Sequence, residues 1–281
     1  MIKKSFGIYR CLSTVSAMPD IAIILAGFAV GLIVGLTGVG GGSLMTPILI
    51  FFFGVKPYLA VGTDLLFAAF TKMGGTVSLA RQKLVPWRVV AQLSAGSLPA
   101  AVLTLWVLRQ LGPASSAVQS LMTNTLGVAL LLTAAAMLYK AARGKQMARH
   151  VATSDALQQA TRARHWSLPV LFGALIGTLV TLTSVGAGAI GVSVLLLLFP
   201  LLPLPRIVAA DIAYAVPLTL VAGLGHASLG SVDWALLAKL LAGSLPGIWL
   251  GTRLMRHTPE RVVRSALSVL LAYAGLKLIA L

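Results

Sequence analysis

Long apolar runs alternate with short polar punctuation along this chain, and the runs predict ten helices. They cover residues 20–36, 46–54, 58–80, 87–108 and 117–139, then 168–184, 188–202, 206–229, 234–254 and 262–280. A full bilayer crossing takes about 20 apolar residues, so the first two runs of each set are individually marginal. Between the sets lies a polar stretch, residues 140–167, with Arg143, Lys145, Arg149, Arg162 and Arg164 against a single acid, Asp155. Runs this long and continuous argue for helices and exclude the short alternating strands of a membrane barrel.

The first set is organised around a break, Gly35-Leu-Thr-Gly-Val-Gly-Gly-Gly-Ser-Leu-Met-Thr-Pro47. Unpaired backbone amides in a bilayer each cost several kcal/mol, so such a break must be buried in protein or line a polar cavity. Gly38, Gly40, Gly41 and Gly42 lack Cβ atoms, which lets the backbone turn and approach something closely. Thr46 and Pro47 read as the N-cap and first residue of a second half-helix. Its free N–H groups would point back at the glycine turn, and a helix N-terminus favours an anion.

The same device recurs. Thr183-Ser-Val-Gly-Ala-Gly-Ala189 matches Thr37-Gly-Val-Gly-Gly-Gly-Ser43 position for position. Val61-Gly-Thr-Asp64 then faces Val208-Ala-Ala-Asp211, Trp87 faces Trp234, and Ala95-Gly-Ser-Leu-Pro99 returns as Ala242-Gly-Ser-Leu-Pro246. The chain therefore divides into a tail (1–19), a first membrane repeat (20–139), a basic linker (140–167) and a second repeat (168–281). Glycine-interrupted helices at equivalent places in two halves point to a secondary transporter's binding site, whereas glycines in membrane helices otherwise serve close packing.

Loop charge gives orientation. Arg81, Lys83 and Arg88, the linker, and Arg253, Arg256, Arg261 and Arg264 mark cytoplasmic loops, while the loop after Leu108 offers only Arg109 and that near Gly230 none. Equivalent loops thus carry opposite bias, as inverted-topology repeats require. Each broken segment is then expected to enter and leave on one side, followed by three crossings.

Composition narrows the class further. The 281 residues are 58% hydrophobic and 10% charged, against about 25% charged in soluble domains, so this is an integral membrane protein. The net charge of +16 would suit nucleic acid, but the basic residues sit in tails and loops, where they meet anionic lipid instead. The one cysteine, Cys11, lies in the tail, so neither a disulfide framework nor redox chemistry is expected. Cys11–Met18 is too polar for a signal peptide's apolar core, and no cleavage is expected.

Gly38-Val-Gly-Gly-Gly-Ser-Leu-Met-Thr-Pro47, the Ala60-Val-Gly-Thr63 turn and the degenerate Gly186-Ala-Gly188 counterpart resemble the TauE/SafE family of membrane permeases. The resemblance runs from about residue 20 to 280. It implies a permease of the sulfite-exporter kind, some of whose members handle organosulfonates or related small anions. Many members have Ser after the Gly-Thr pair, whereas this chain has Asp64, and Asp211 in the other half.

Acids inside apolar runs are uncommon and mark ion paths, proton sites or buried pairs. Asp64 and Asp211 fit that description, and both also fit helix caps near the interface, with Thr63-Asp64 as a cap pair. Lys72 is eight residues after Asp64, about two helical turns, so the two share a face. It meets a substrate anion, pairs with Asp64, or snorkels to the headgroups; its central place favours the interior. Snorkelling suits Lys239. His226 is a proton shuttle or simply a hydrogen-bonded residue. Trp87 and Trp234 read as interface anchors, and Pro99, Pro217 and Pro246 as kinks.

The expected fold is therefore an all-α integral membrane protein of two homologous, inverted halves with glycine-broken helices. The expected function is secondary transport of a small anion, sulfite, an organosulfonate or a related sulfur oxyanion, across the bacterial inner membrane. Thr37, Gly38, Gly40, Gly41, Gly42, Ser43, Thr183, Gly186 and Gly188 would bind substrate, and Asp64, Asp211 and Lys72 would couple or gate. A proton- or cation-translocating permease built on the two aspartates is the alternative. A membrane-embedded enzyme lacks a nucleophile–base pair or metal cluster. No cofactor, metal or nucleic acid is expected; the partners are the anion and the bilayer, and the sequence leaves the oligomeric state open.

Overall fold

A computed structural model describes residues 20–37, 42–143, 167–200, 202–254 and 260–279. These form ten helices and no strand. In the first half they are α1 (Asp20–Thr37), α2 (Gly42–Phe51), α3 (Pro57–Arg81), α4 (Trp87–Leu111) and α5 (Ser116–Arg143). In the second they are α6 (Ser167–Thr183), α7 (Ala189–Leu198), α8 (Leu204–Ser228), α9 (Trp234–Leu254) and α10 (Glu260–Ile279). Prolines near the start open α3 and α8, where a missing N–H costs nothing. Gly112, with φ +77°, ends α4 in the left-handed conformation that glycine adopts freely. Helices α4, α8 and α9 run on through Pro99, Pro217 and Pro246.

One expected boundary is overturned. Helix α2 begins at Gly42, so Thr46 and Pro47 lie within it rather than at its N-cap and first turn. The reason is tertiary: the Thr46 hydroxyl donates to Asp64, eighteen residues on, and not to its own helix's amides. The expected tail and Cys11 lie outside the described residues, as does the linker from 144 to 166.

Among the described residues four helices are long and apolar enough to cross a membrane: α4, α5 as far as Leu138, α8, and α9 as far as Gly251. Their outer faces carry exposed Trp106, Leu132, Leu224 and Trp249, a surface suited to lipid rather than water. Two charged side chains of α3, Asp64 and Lys72, are turned inward and buried instead.

The most extensive packing joins helices of different halves. Helix α1 lies parallel to α9: Gly27 sits on Leu240 and Gly31 on Ser244, while Gly243, Gly247 and Gly251 sit on Ile24, Phe28 and Leu32. A Cβ at any of these five glycines would run into the facing backbone. Helix α6 lies on α4 in the same manner, Gly173 on Leu93, Gly177 on Ser97, and Gly96 on Val170. The twice-occurring Ala-Gly-Ser-Leu-Pro stretch is therefore a docking strip for the first helix of the opposite half. Such close approach is how membrane helices gain van der Waals contact where lipid offers no hydrophobic drive.

Helices α3 and α8 run antiparallel. Gly62 meets His226 and Ser231, Leu66 meets Gly223, and Gly75 meets Ile212. Two apolar cores flank this pair. One draws on α4, α6, α7 and α8, the other on α1, α2, α9 and α10, with α3 and α5 contributing to both. Each core thus mixes the halves.

Candidate functional site

The seam between α3 and α8 gathers the charged residues that the apolar pattern left unexplained. Asp64 is 0% exposed, Lys72 5% and Asp211 2%, values that rule out snorkelling for the lysine and interfacial capping for the acids. The cap reading fails on geometry as well. Helix α3 starts at Pro57 after Lys56, and the Thr63 hydroxyl accepts the backbone N–H of Asp233 at 3.1 Å rather than capping its own helix.

Three elements surround Asp64. The Thr46 hydroxyl of α2 donates to its Oδ2 at 2.5 Å, the Ser184 hydroxyl faces the same carboxyl, and Lys72 lies within electrostatic reach. The eight-residue spacing on α3 does place Asp64 and Lys72 on one face, as the helical period requires. The Lys72 ammonium lies within electrostatic reach of both Asp211 and Asp64, one carboxyl from each half. It also donates to the Ala187 carbonyl at 3.2 Å, in the break between α6 and α7. The group of the break that meets Lys72 is therefore a carbonyl.

Asp211 has different neighbours. Its Oδ1 lies against Gly191 of α7, where a Cβ would collide with it, and the Tyr214 hydroxyl would be 3.4 Å from that Cβ. Tyr214 follows Asp211 by three residues, close to one helical turn, so both project toward α7. Gly191 thus leaves the room that the carboxyl occupies.

The second break has a backbone that favours glycine. Gly186 and Gly188 are buried with φ of +130° and +141°, a region L-residues avoid, and Ser184 just before them has φ +59°. Thr183, assigned to substrate from the sequence, spends its hydroxyl on the turn: it donates to Leu179 O at 2.6 Å and accepts the Val185 N–H at 3.1 Å. In the first break Gly38, Gly40 and Gly41 lie outside the described residues. Thr37, Gly42 and Ser43 are placed at the facing ends of α1 and α2, with their side chains outside the description.

The remaining candidates fall away from the seam's charges. His226 is buried and pairs with the Thr181 carbonyl at 3.0 Å, the hydrogen-bonded reading. Lys239, read as a snorkelling residue, forms an ion pair with Asp20 at the start of α1. Trp87 and Trp234 open α4 and α9 and are exposed, as interface anchors should be. Among the described residues no group of His, Cys, Asp or Glu has the arrangement to hold a metal.

Sequence reasoning missed Thr46, Ser184 and Tyr214 as members of the cluster. Thr46 was read as a cap, and nothing in their local sequence set Ser184 or Tyr214 apart. The available signal was the repeat: Tyr214 stands where the first half has Phe67.

The model of the sulfite exporter TauE/SafE family matches residues 23–278. The chain belongs to that family. A Bacillus subtilis (strain 168) protein named "Probable membrane transporter protein YjnA" is 35% identical over 260 residues, 92% of this chain and 100% of that one. "Probable membrane transporter protein YdhB" of the same organism is 28% identical over 261 residues, covering 92% and 99%. No solved structure matches the chain. Together with its apolar helices, these relatives make the protein a membrane transporter.

Proposed function

We propose that this TauE/SafE protein is a secondary transporter of a small sulfur oxyanion, sulfite or an organosulfonate, in the bacterial inner membrane. One observation carries the reading: a buried lysine from the first half lies within electrostatic reach of two buried carboxylates, one from each half, where two apolar cores meet. A buried ammonium attracts an anion, and carboxylates beside it give a proton somewhere to go. The family's printed description supplies the sulfur oxyanion class.

The inverted-repeat reading draws support from two features. Helix α1 docks on α9 as α6 docks on α4, and the equivalent helices α3 and α8 run antiparallel. A two-fold relation between antiparallel equivalents puts the axis across the helices, hence in the membrane plane. The moving units of alternating access are then the two composite cores, one of which includes α8, with α3 and α5 shared between them, rather than the two sequence halves. Reporter fusions at Asp155 and Leu281 should report the cytoplasm and the periplasm respectively; two cytoplasmic signals would sink the inverted arrangement.

A proton or cation permease stays in view because two carboxylates outnumber one ammonium. Purified protein in liposomes, offered labelled sulfite, sulfonates and inorganic cations in parallel, separates the readings. Uptake of sulfite or a sulfonate supports the proposal, and cation uptake with no anion uptake overturns it.

A further inference from the structure

Two hydroxyls at the seam stand out. Tyr214 and Ser184 are 0% and 5% exposed; the phenol has no hydrogen-bond partner, and the serine hydroxyl has only the Asp64 carboxyl facing it. Leaving a buried hydroxyl unpaired is unfavourable, so each such group in a folded protein asks for a reason. Both stand beside carboxylates within the ammonium's reach: Ser184 faces Asp64 and lies in the same break as the Ala187 carbonyl to which Lys72 donates, and the Tyr214 hydroxyl lies with the Asp211 carboxyl at Gly191. The repeat makes their grouping more telling. Where Tyr214 stands, α3 has Phe67; where Lys72 stands, α8 has Thr219, whose hydroxyl donates to the Ala215 carbonyl at 2.8 Å. The phenol and the ammonium, each without a counterpart in the other half, thus belong to one cluster.

We infer that Lys72, Tyr214 and Ser184 form one oxyanion subsite, and that it accepts monoanions of the sulfonate type and refuses dianions such as sulfate. The inference rests on the anion-transport reading and narrows it. The donors set the chemistry: an ammonium from α3, a phenol from α8 and a serine hydroxyl from the break all offer hydrogens to acceptor oxygens.

The surrounding charge sets the valence. The charged groups facing the place are Lys72 and Asp64 on α3 and Asp211 on α8. Helices α2, α6 and α7 carry no charged residue. Of the other titratable groups on α8, Tyr214 belongs to the subsite and His226 is held by Thr181. Even with both carboxylates protonated, the ammonium neutralises one negative charge and no more. A dianion would leave an unbalanced charge away from water, which is heavily penalised.

The test is calorimetric binding of methanesulfonate and of sulfate to the detergent-purified full-length protein, with melting temperatures recorded alongside. Wild type should bind methanesulfonate and take sulfate at least about tenfold less well. Tyr214→Phe should weaken methanesulfonate binding about tenfold, and Ser184→Ala by a smaller factor, of order threefold. The unliganded Tyr214→Phe protein should melt no lower than wild type, since the substitution removes an unpaired buried donor; a tyrosine serving structure alone would lose stability and keep affinity. Thr104→Val, whose hydroxyl donates to the Ala100 carbonyl, is the control and should bind as wild type. Tight sulfate binding, or Tyr214→Phe binding methanesulfonate as wild type does, overturns the subsite while leaving anion transport standing. Should Tyr214→Phe fail to fold, the sulfate comparison and Ser184→Ala decide alone. Wild type that binds neither anion overturns the subsite and the transport reading together.

Discussion

Asp64 and Asp211 occupy the same place in the two halves, yet the molecule treats them differently. Asp64 is held by a hydroxyl from its own half's second helix and faced by a second from the opposite break. Asp211 lies against Gly191 of α7 and beside Tyr214. Two acids matched in sequence thus sit in unlike surroundings. The Asp64 side presents hydroxyls to its carboxyl; the Asp211 side packs its carboxyl against the backbone of α7, beside a phenol.

Removing the shared cation should have the largest effect. Lys72→Met leaves two buried carboxylates without a counter-charge, a change that typically costs about 3–5 kcal/mol. Thermal melting should drop and uptake should vanish, and adding Asp211→Asn should recover part of the stability. A Lys72→Met protein that melts and transports as wild type would show that the three groups are not one network.

The next effect separates the two acids. Asp211→Asn should cut pH-gradient-driven uptake in proteoliposomes by about tenfold or more, an energy of roughly 1.4 kcal/mol. Asp64→Asn, which keeps an oxygen for Thr46 to donate to, should cost only a few-fold. Equal losses would erase the asymmetry.

Smaller changes probe each side's support. Gly191→Ala presses a methyl onto the Asp211 carboxyl and should destabilise by about 1–3 kcal/mol, as overpacking does. Thr46→Val strips Asp64 of its donor; hydrogen bonds to charged groups contribute about 1.5–3 kcal/mol, and the loss should appear in melting and mainly spare coupling. If Thr46→Val abolishes coupling, the Asp64 side is more than a holding site. Smallest of all, Asp20→Asn breaks the ion pair with Lys239, whose partners are 67% and 32% exposed. Exposed pairs contribute about 0–1 kcal/mol, so neither melting nor uptake should move much.

The helices were legible because lipid-facing runs must be apolar along their whole length, and all ten runs are helices within a few residues. The seam was legible only in its charges, since an acid or lysine in an apolar run has no cheap explanation. Neutral partners were not. Thr46 was misread because Thr-Pro is a good local cap, while its actual partner is fixed by tertiary packing. The pair Lys239–Asp20 joins residues 219 apart, with no local trace. Thr183 shows the opposite error: a hydroxyl beside a glycine break looked available to substrate, but the turn itself consumes it.

The glycine strips that seat α1 on α9 and α6 on α4 also bear on how the protein is made. As the ribosome delivers the first half, the Gly27 and Gly31 face of α1 has nothing to close on, because its mate, α9, belongs to the second half. The early helices must wait in the bilayer as an open assembly, and closure can come only after α9 is made. The strips are complementary in shape and need no covalent continuity to mate. A chain severed between residues 144 and 166, with both pieces made in one cell, should therefore still assemble, whereas either piece alone should be degraded.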